Sequence, residues 1–177
     1  LLQADIGVAA SNCNAVHAGG LRRGDPGLGV LDGDRLRGLD AEPLINRLNV
    51  QISRHAPSSR FITLQFVNLD PATGEFVAVN AGHLPALIRR RNGDIERLSE
   101  GGIALGMFDS SQYAAERGRL ERGDLLVLYS DGITEQHNDD GEMFGFDRTQ
   151  ELVGEAASGP ALVDACVSTL ERFSGGQ

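Results

Sequence analysis

The sequence has no tryptophan and no lysine, two cysteines, and only 5% aromatic residues. So few rings exclude a base-stacking platform for nucleic acid. Cys13 and Cys166 carry no paired spacing, which argues against a disulfide framework or a zinc site, and both read as reduced, packed thiols. No apolar run is long enough to span a bilayer, and no basic-then-apolar leader is present. A soluble, cytoplasmic setting is therefore expected. Every basic residue is an arginine, 16 against 25 acidic residues, for a formal net charge of -9. That balance leaves no nucleic-acid footprint and suits a protein that binds cations or basic partners.

At 177 residues the chain is one domain by length, with enough residues for a substantial core. Asp40 can cap a helix running to about His55, with Leu44, Ile45, Leu48 and Ile52 on its apolar face. From Phe61 onward the pattern is a run of strands. Phe61 to Leu69 is β-branched and aromatic, Asp70-Pro-Ala-Thr-Gly74 supplies a turn, and Glu75 to Asn80 returns. A second hairpin joins Ala86 to Arg91 with Ile95 to Leu98 across Asn92-Gly93. Gln112 to Leu120 reads as extended. Phe146 to Ala156 and Pro160 to Phe173 read as helices, the latter with Leu162, Ala165, Cys166, Thr169 and Leu170 at helical spacing. The first dozen residues are helical or half-buried, and Gly19 to Gly38 is a surface loop or inserted hairpin.

The stretch richest in chemistry is Asp124-Leu-Leu-Val-Leu-Tyr-Ser-Asp131-Gly132-Ile-Thr-Glu135. Leu125 to Tyr129 is short and continuously apolar, the signature of a strand buried on both faces. It delivers Asp131 at the end of a rigid element, and Gly132 leaves the backbone beside it uncrowded. An ionised carboxylate buried there without a partner would cost several kcal/mol, so a cation, donors or water should face it. The plainer reading is an Asp-Gly turn after a strand. Asn80-Ala-Gly-His-Leu-Pro85 also reads as a tight turn between strands, with His83 either a donor at a site or a turn histidine satisfied by backbone.

Four motifs now stand in order: Asn80-Ala-Gly-His-Leu-Pro85, Gly101-Gly-Ile-Ala-Leu-Gly106, the run from Leu120 to Glu135, and Asn138-Asp-Asp-Gly-Glu-Met-Phe-Gly145. Together they resemble the bacterial SpoIIE/RsbU-type serine phosphatases, a branch of the metal-dependent PP2C-like (PPM) family, over Asp40 to Phe173. The resemblance implies an α+β fold: an α-β-β-α sandwich of two antiparallel sheets flanked by helices. It implies hydrolysis of phosphoserine or phosphothreonine on a signalling regulator, an anti-anti-sigma (STAS-like) protein, by water activated on two Mn²⁺ or Mg²⁺ ions. Hard cations prefer carboxylate oxygen, which accounts for aspartates at such a site. On this resemblance Asp131 is a metal ligand. Asp139, Asp140 and Glu142 read as a solvated acidic loop with no ligand role.

The chain departs from the family pattern at both ends. The family carries an upstream Gly-Asp-Val-Ser-Gly-Lys/His-Gly motif. Here Gln3-Ala-Asp5-Ile-Gly-Val-Ala-Ala-Ser11 is similar to it with the central part missing. That alignment makes Asp5 the second metal ligand. In the alternative alignment Leu1-Leu2 belongs to the following helix and the motif precedes residue 1. The closing Asp-Asp-Ile/Val-Thr strand would begin about where Ser174-Gly-Gly-Gln177 stands. Residues 1–177 are thus expected to form a single PP2C-like domain lacking terminal strands, either part of an active phosphatase or a degenerate relative.

The competing function is a non-catalytic PP2C-like signalling or docking module, and a homodimer is among the assemblies left open. A calcium-binding loop at Asn138 to Glu142 lacks the alternating oxygen ligands of an EF-hand. Cysteine-phosphatase chemistry is set aside, because neither Cys13 nor Cys166 is expected to stand in an electropositive Cys-x5-Arg loop.

Overall fold

A computed structural model describes residues 6–8, 40–55 and 60–175, the first of these as backbone only. The first helix, α1, is Ala41–His55, and the Asp40 carbonyl accepts the Leu44 N–H at 3.3 Å. Glu42 in its first turn and Arg54 and His55 in its last complement the helix dipole. Its buried residues are Ala41, Ile45 and Asn49, whereas Leu48 stands exposed. The apolar face is therefore rotated from the one expected, and a polar residue enters the core because a loop offers its amide partners.

Among the described residues the strands are β1 (Ile6–Val8), β2 (Leu64–Leu69), β3 (Glu75–Ala81), β4 (Ala86–Arg89), β5 (Ile95–Leu98), β6 (Gly101–Gly102), β7 (Glu116–Arg119) and β8 (Leu125–Leu128). Both hairpins form as their turn residues direct. β2 and β3 pair from Leu64 opposite Ala81 to Leu69 opposite Phe76, and β4 and β5 pair around Gly93, whose φ is +96°. One sheet has the order β1-β8-β4-β5. In the other, β3 is flanked by β2 on one side and by β6 and β7 on the other. Most pairs are antiparallel, but β1 runs parallel to β8 and β6 parallel to β3, so neither sheet is purely antiparallel.

The described residues hold three further helices: α2 (Asp131–Thr134), α3 (Gly145–Glu155) and α4 (Gly159–Phe173). Ser158 caps α4 by accepting the Ala161 N–H at 3.3 Å, and Pro160 sits in its opening turn. Three apolar clusters give the order of layers. Ala41 and Ile45 of α1 meet Val79, Ala81 and Leu105 on the outer face of one sheet. Phe76, Ala78, Ile88, Leu98 and Leu126 pack between the sheets. Leu125 and Val127 meet Val153, Leu162 and Cys166 under α3 and α4. The molecule is the expected α-β-β-α sandwich. Strand β8 is buried on both faces, as its continuous apolar run requires. Among the described residues no helix is long and apolar enough to cross a membrane.

Candidate metal centre

Strand β8 ends in an extended Ser130 (φ -110°, ψ 170°), and the chain turns at once into α2. The Asp131 carbonyl accepts the Glu135 N–H at 2.7 Å and the Thr134 hydroxyl at 3.1 Å, while Ile133 and Thr134 are buried beneath. The backbone of Asp131 is thus fixed on a packed base. Its carboxylate is exposed and makes no ion pair or hydrogen bond among the described residues. Gly132 lies inside α2 and is not among the glycines with positive φ, so it serves by leaving space beside Asp131 rather than by an unusual turn.

The Asn80 turn reaches the same edge. Asn80 and His83 close it reciprocally: the Asn80 amide donates to the His83 carbonyl at 2.9 Å, and the His83 N–H donates to Asn80 Oδ1 at 2.8 Å. Gly82 is required there, since its φ is +67° and a Cβ would lie 2.5 Å from the Ala104 nitrogen. Its N–H donates to the Gly102 carbonyl at 2.9 Å, which locks the turn onto the Gly101 motif. β4 and β8 pair with Leu87 opposite Val127, and continuing that register past the ladder carries the turn toward the level of Asp131. Half-buried His83 has its backbone satisfied, but its ring makes no hydrogen bond among the described residues.

Asp5 lies outside the described residues, as do Cys13 and the stretch from Gly19 to Gly38. Strand β1 pairs Ile6 with Leu126 and Val8 with Leu128, so its C-terminal end is the one that approaches Asp131. The acidic loop closes on itself: Asn138 Oδ1 accepts the N–H groups of Asp140 and Glu142 at 3.1 and 2.8 Å, and Glu142 pairs with Arg148 at 2.6 Å. Among the described residues no group of three or more His, Cys, Asp or Glu side chains is placed to hold a metal ion. Among the described residues Asp131 offers an unpaired carboxylate at this edge. The described residues therefore fit one ligand position for a hard cation and do not by themselves complete a two-ion centre.

Two features escaped the sequence reading. Gln65, opposite Asn80 near the same edge, has both amide atoms buried without a hydrogen-bond partner among the described residues. Its neighbours at alternate positions, Val67 and Leu69, pack between the sheets, so Gln65 faces that layer too. A glutamine on the same face as Val67 and Leu69 was the available signal. The second is a spacing. Arg172 follows Cys166 at the Cys-x5-Arg interval, contrary to expectation, but both lie on α4 and no loop exists there to cradle phosphate. Burial raises the Cys166 thiol, and Arg172 Nε donates to the Ser168 carbonyl at 3.1 Å, so the pair is structural.

The family model described as stage II sporulation protein E (SpoIIE) matches residues 28–177. Protein IcfG of Synechocystis sp. is 32% identical over 101 residues, which are 57% of this chain and 16% of that protein. Phosphoserine phosphatase RsbU of Bacillus subtilis is 29% identical over 105 residues, 59% of this chain and 31% of RsbU. The chain thus spans a third or less of these relatives. Among solved structures, the PP2C phosphatase domain of B. subtilis SpoIIE with a fragment of its regulatory domain superposes with a TM-score of 0.65 at 18% identity, covering 82% of this chain and 43% of that one. The manganese-soaked phosphatase domain of the same protein gives 0.57 at 17% identity, covering 92% and 72%. With the sandwich and its ordered motifs, the match over residues 28–177 shows that this chain belongs to the SpoIIE family, the SpoIIE/RsbU-type branch of the PP2C-like phosphatases.

Proposed function

We propose that this chain is the catalytic region of a cytoplasmic protein serine/threonine phosphatase that removes phosphate from an anti-anti-sigma (STAS-like) regulator, with Asp131 as a ligand to Mn²⁺ or Mg²⁺. The observation that supports it is Asp131 itself: an exposed carboxylate with a fixed backbone, unpaired with any cation among the described residues, at the rim where the Asn80 and Gly101 motifs converge. In a family of PP2C-like phosphatases an unpaired carboxylate at a sheet edge is suited to a metal rather than to stability. A bound ion would supply Lewis acidity toward a phosphoryl oxygen. The chain's own contribution is to hold Asp131 with no competing arginine among the described residues and to leave the edge open to a protein substrate.

Asp5 is carried as a second candidate on the family resemblance alone, because it adjoins Ile6, the end of β1 that pairs with Leu126 and points away from Asp131; the remaining ligands would come from outside the described residues. Calorimetric titration of Mn²⁺ into the parent chain, Asp131→Asn and Asp5→Asn tests both assignments. Binding that disappears in Asp131→Asn supports the reading, and binding that survives there overturns it. Binding unchanged in Asp5→Asn removes Asp5 from the site. The second reading, a docking module without catalysis, is favoured by the lack of a three-carboxylate group among the described residues. It predicts no Mn²⁺ binding in the parent chain.

A further inference from the structure

Among the described residues eight large hydrophobic side chains stand exposed, and six of them gather in one region: Leu48, Phe61, Ile62, Ile103, Met107 and Phe108. Phe108 is 62% exposed and Phe61 59%, far more than single surface apolar residues in a polar setting require. We propose that this patch docks the phosphoprotein substrate, through an apolar segment of that protein flanked by acidic residues, beside the Asp131 edge. The inference rests on the phosphatase reading above.

The patch is built to be rigid. Ile62 and Leu105 exchange two backbone hydrogen bonds of 2.9 and 2.8 Å, which tie the strand entering β2 to the loop carrying Ile103, Met107 and Phe108. The buried Asn49 amide pins that loop to α1: it donates to the Phe108 carbonyl at 2.9 Å and accepts the Gly106 N–H at 2.9 Å. Gly106 has φ +87°, and a Cβ there would lie 2.8 Å from Ile52 Cγ2, so the loop sits against the helix with no room to spare. An apolar surface held in place before binding loses little ordering entropy when a partner arrives.

Its position and its charge identify the partner. β2 begins at Leu64, opposite Ala81, where β3 passes into the Asn80 turn. The Gly102 carbonyl, one residue before Ile103, accepts the Gly82 N–H of that turn. The patch therefore borders the motifs that meet at the Asp131 edge. From Pro43 to Leu69 the sequence contains Arg47, Arg54, His55 and Arg60 and no acidic residue, in a chain whose net charge is -9. Arg47, Arg54 and Arg60 are exposed, and Arg60 adjoins Phe61. Exposed Asp109 adjoins Phe108 and offsets one of these charges, but the arginines outnumber it. Such a surface on an otherwise acidic protein complements an acidic partner, and a phosphoserine adds close to two negative charges of its own.

Phosphorylated β-casein, an acidic phosphoprotein, and p-nitrophenyl phosphate are the two probes, used with Mn²⁺. The double variant Phe61→Ser/Phe108→Ser should raise KM for casein about tenfold and leave kcat/KM for p-nitrophenyl phosphate within about twofold. Met107→Ser, a milder change, should raise casein KM about threefold, and Arg60→Glu should do the same while weakening the dependence on salt. An unchanged casein KM in every variant overturns the docking surface. If the parent hydrolyses neither probe, the phosphatase reading fails for this chain, and casein binding by fluorescence anisotropy decides the surface alone: weakened binding in the variants supports it, unchanged binding overturns it. A parent dimer that the double variant disperses in sedimentation would assign the patch to a second copy and overturn the proposal.

Discussion

The two ends of β8 carry the same side chain in opposite circumstances. At its start the Asp124 side chain is only 4% exposed and accepts hydrogen bonds from Arg90 Nη1 at 2.7 Å, the Arg91 N–H at 3.0 Å and the Glu121 N–H at 3.0 Å. Arg90 in turn grips Glu96 with two bonds of 2.8 and 2.6 Å. At the far end, about 20 Å along an extended chain, Asp131 is exposed with its carboxylate unpaired among the described residues. One carboxylate is consumed by the fold and the other is left available. Burial alone would raise the Asp124 carboxyl, but the Glu121 N–H, Arg90 and the Arg91 N–H outweigh it and hold the group below its usual range. Glu96, exposed, is lowered chiefly by its bond to Arg90. A carboxylate with three of its roughly four lone-pair sites taken is poorly placed to bind a metal, whereas Asp131 has both oxygens unpaired among the described residues.

The largest expected effect falls at the open end. Asp131→Asn should weaken Mn²⁺ binding at least about a hundredfold, while the melting temperature without metal stays unchanged, since the side chain supports nothing in the fold. Equal affinity in calorimetry would erase the contrast between the two ends. Asp124→Asn should do the reverse: it should cost about 2–3 kcal/mol in urea unfolding and leave Mn²⁺ affinity intact. A variant as stable as the parent would show that the Arg90 cluster is ornamental.

Acid sharpens the same comparison. The folded pKa of Asp124 lies below its unfolded value, so its stabilisation is complete above the unfolded pKa, about 3.9, and is lost as pH falls through the folded one. Unfolding free energy measured across that window should fall more steeply with acid in the parent than in Asp124→Asn, and parallel slopes would remove the pair from the account. The smallest effect belongs to Gln65, between the two sheets. Replacing its unsatisfied amide by leucine should stabilise the chain by about 1 kcal/mol, read as a rise in denaturation midpoint. A loss of stability would mean that the amide has a partner in solution.

Much of the scaffold was legible because its causes are local. The apolar run from Leu125 to Tyr129 announced a strand covered on both faces, and Asn92-Gly93 announced a hairpin. The phase of α1 was not legible. Periodicity favoured Leu48 over Asn49, since nothing near Asn49 in sequence reveals the Phe108 carbonyl 59 residues away that satisfies its amide. The parallel pairings of β1 and β6 were equally hidden, because strand direction depends on how the chain crosses between sheets rather than on the strand's own residues. At the site, Asp131 was singled out by the turn that carries it and by the resemblance of its neighbours, while the orphaned amide of Gln65 appeared only once the sheets were stacked.

Sequence alone was enough to determine most of the longer elements, the hairpin turns and the family to which their order belongs, because each depends on a handful of adjacent residues; β1, β6 and α2 were not among them. It placed an aspartate at each end of β8 and gave Asp131 a ligand role by resemblance, without showing which of the two carboxylates is engaged by partners and which is not. That distinction belongs to tertiary structure. Asp124 is engaged because Arg90, 34 residues distant, is brought beside it by the pairing of β4 with β8, and Asp131 is free because none of the described residues delivers a cation to the other end. Electrostatic partnership acts through space, and only the folded chain decides which charges share it.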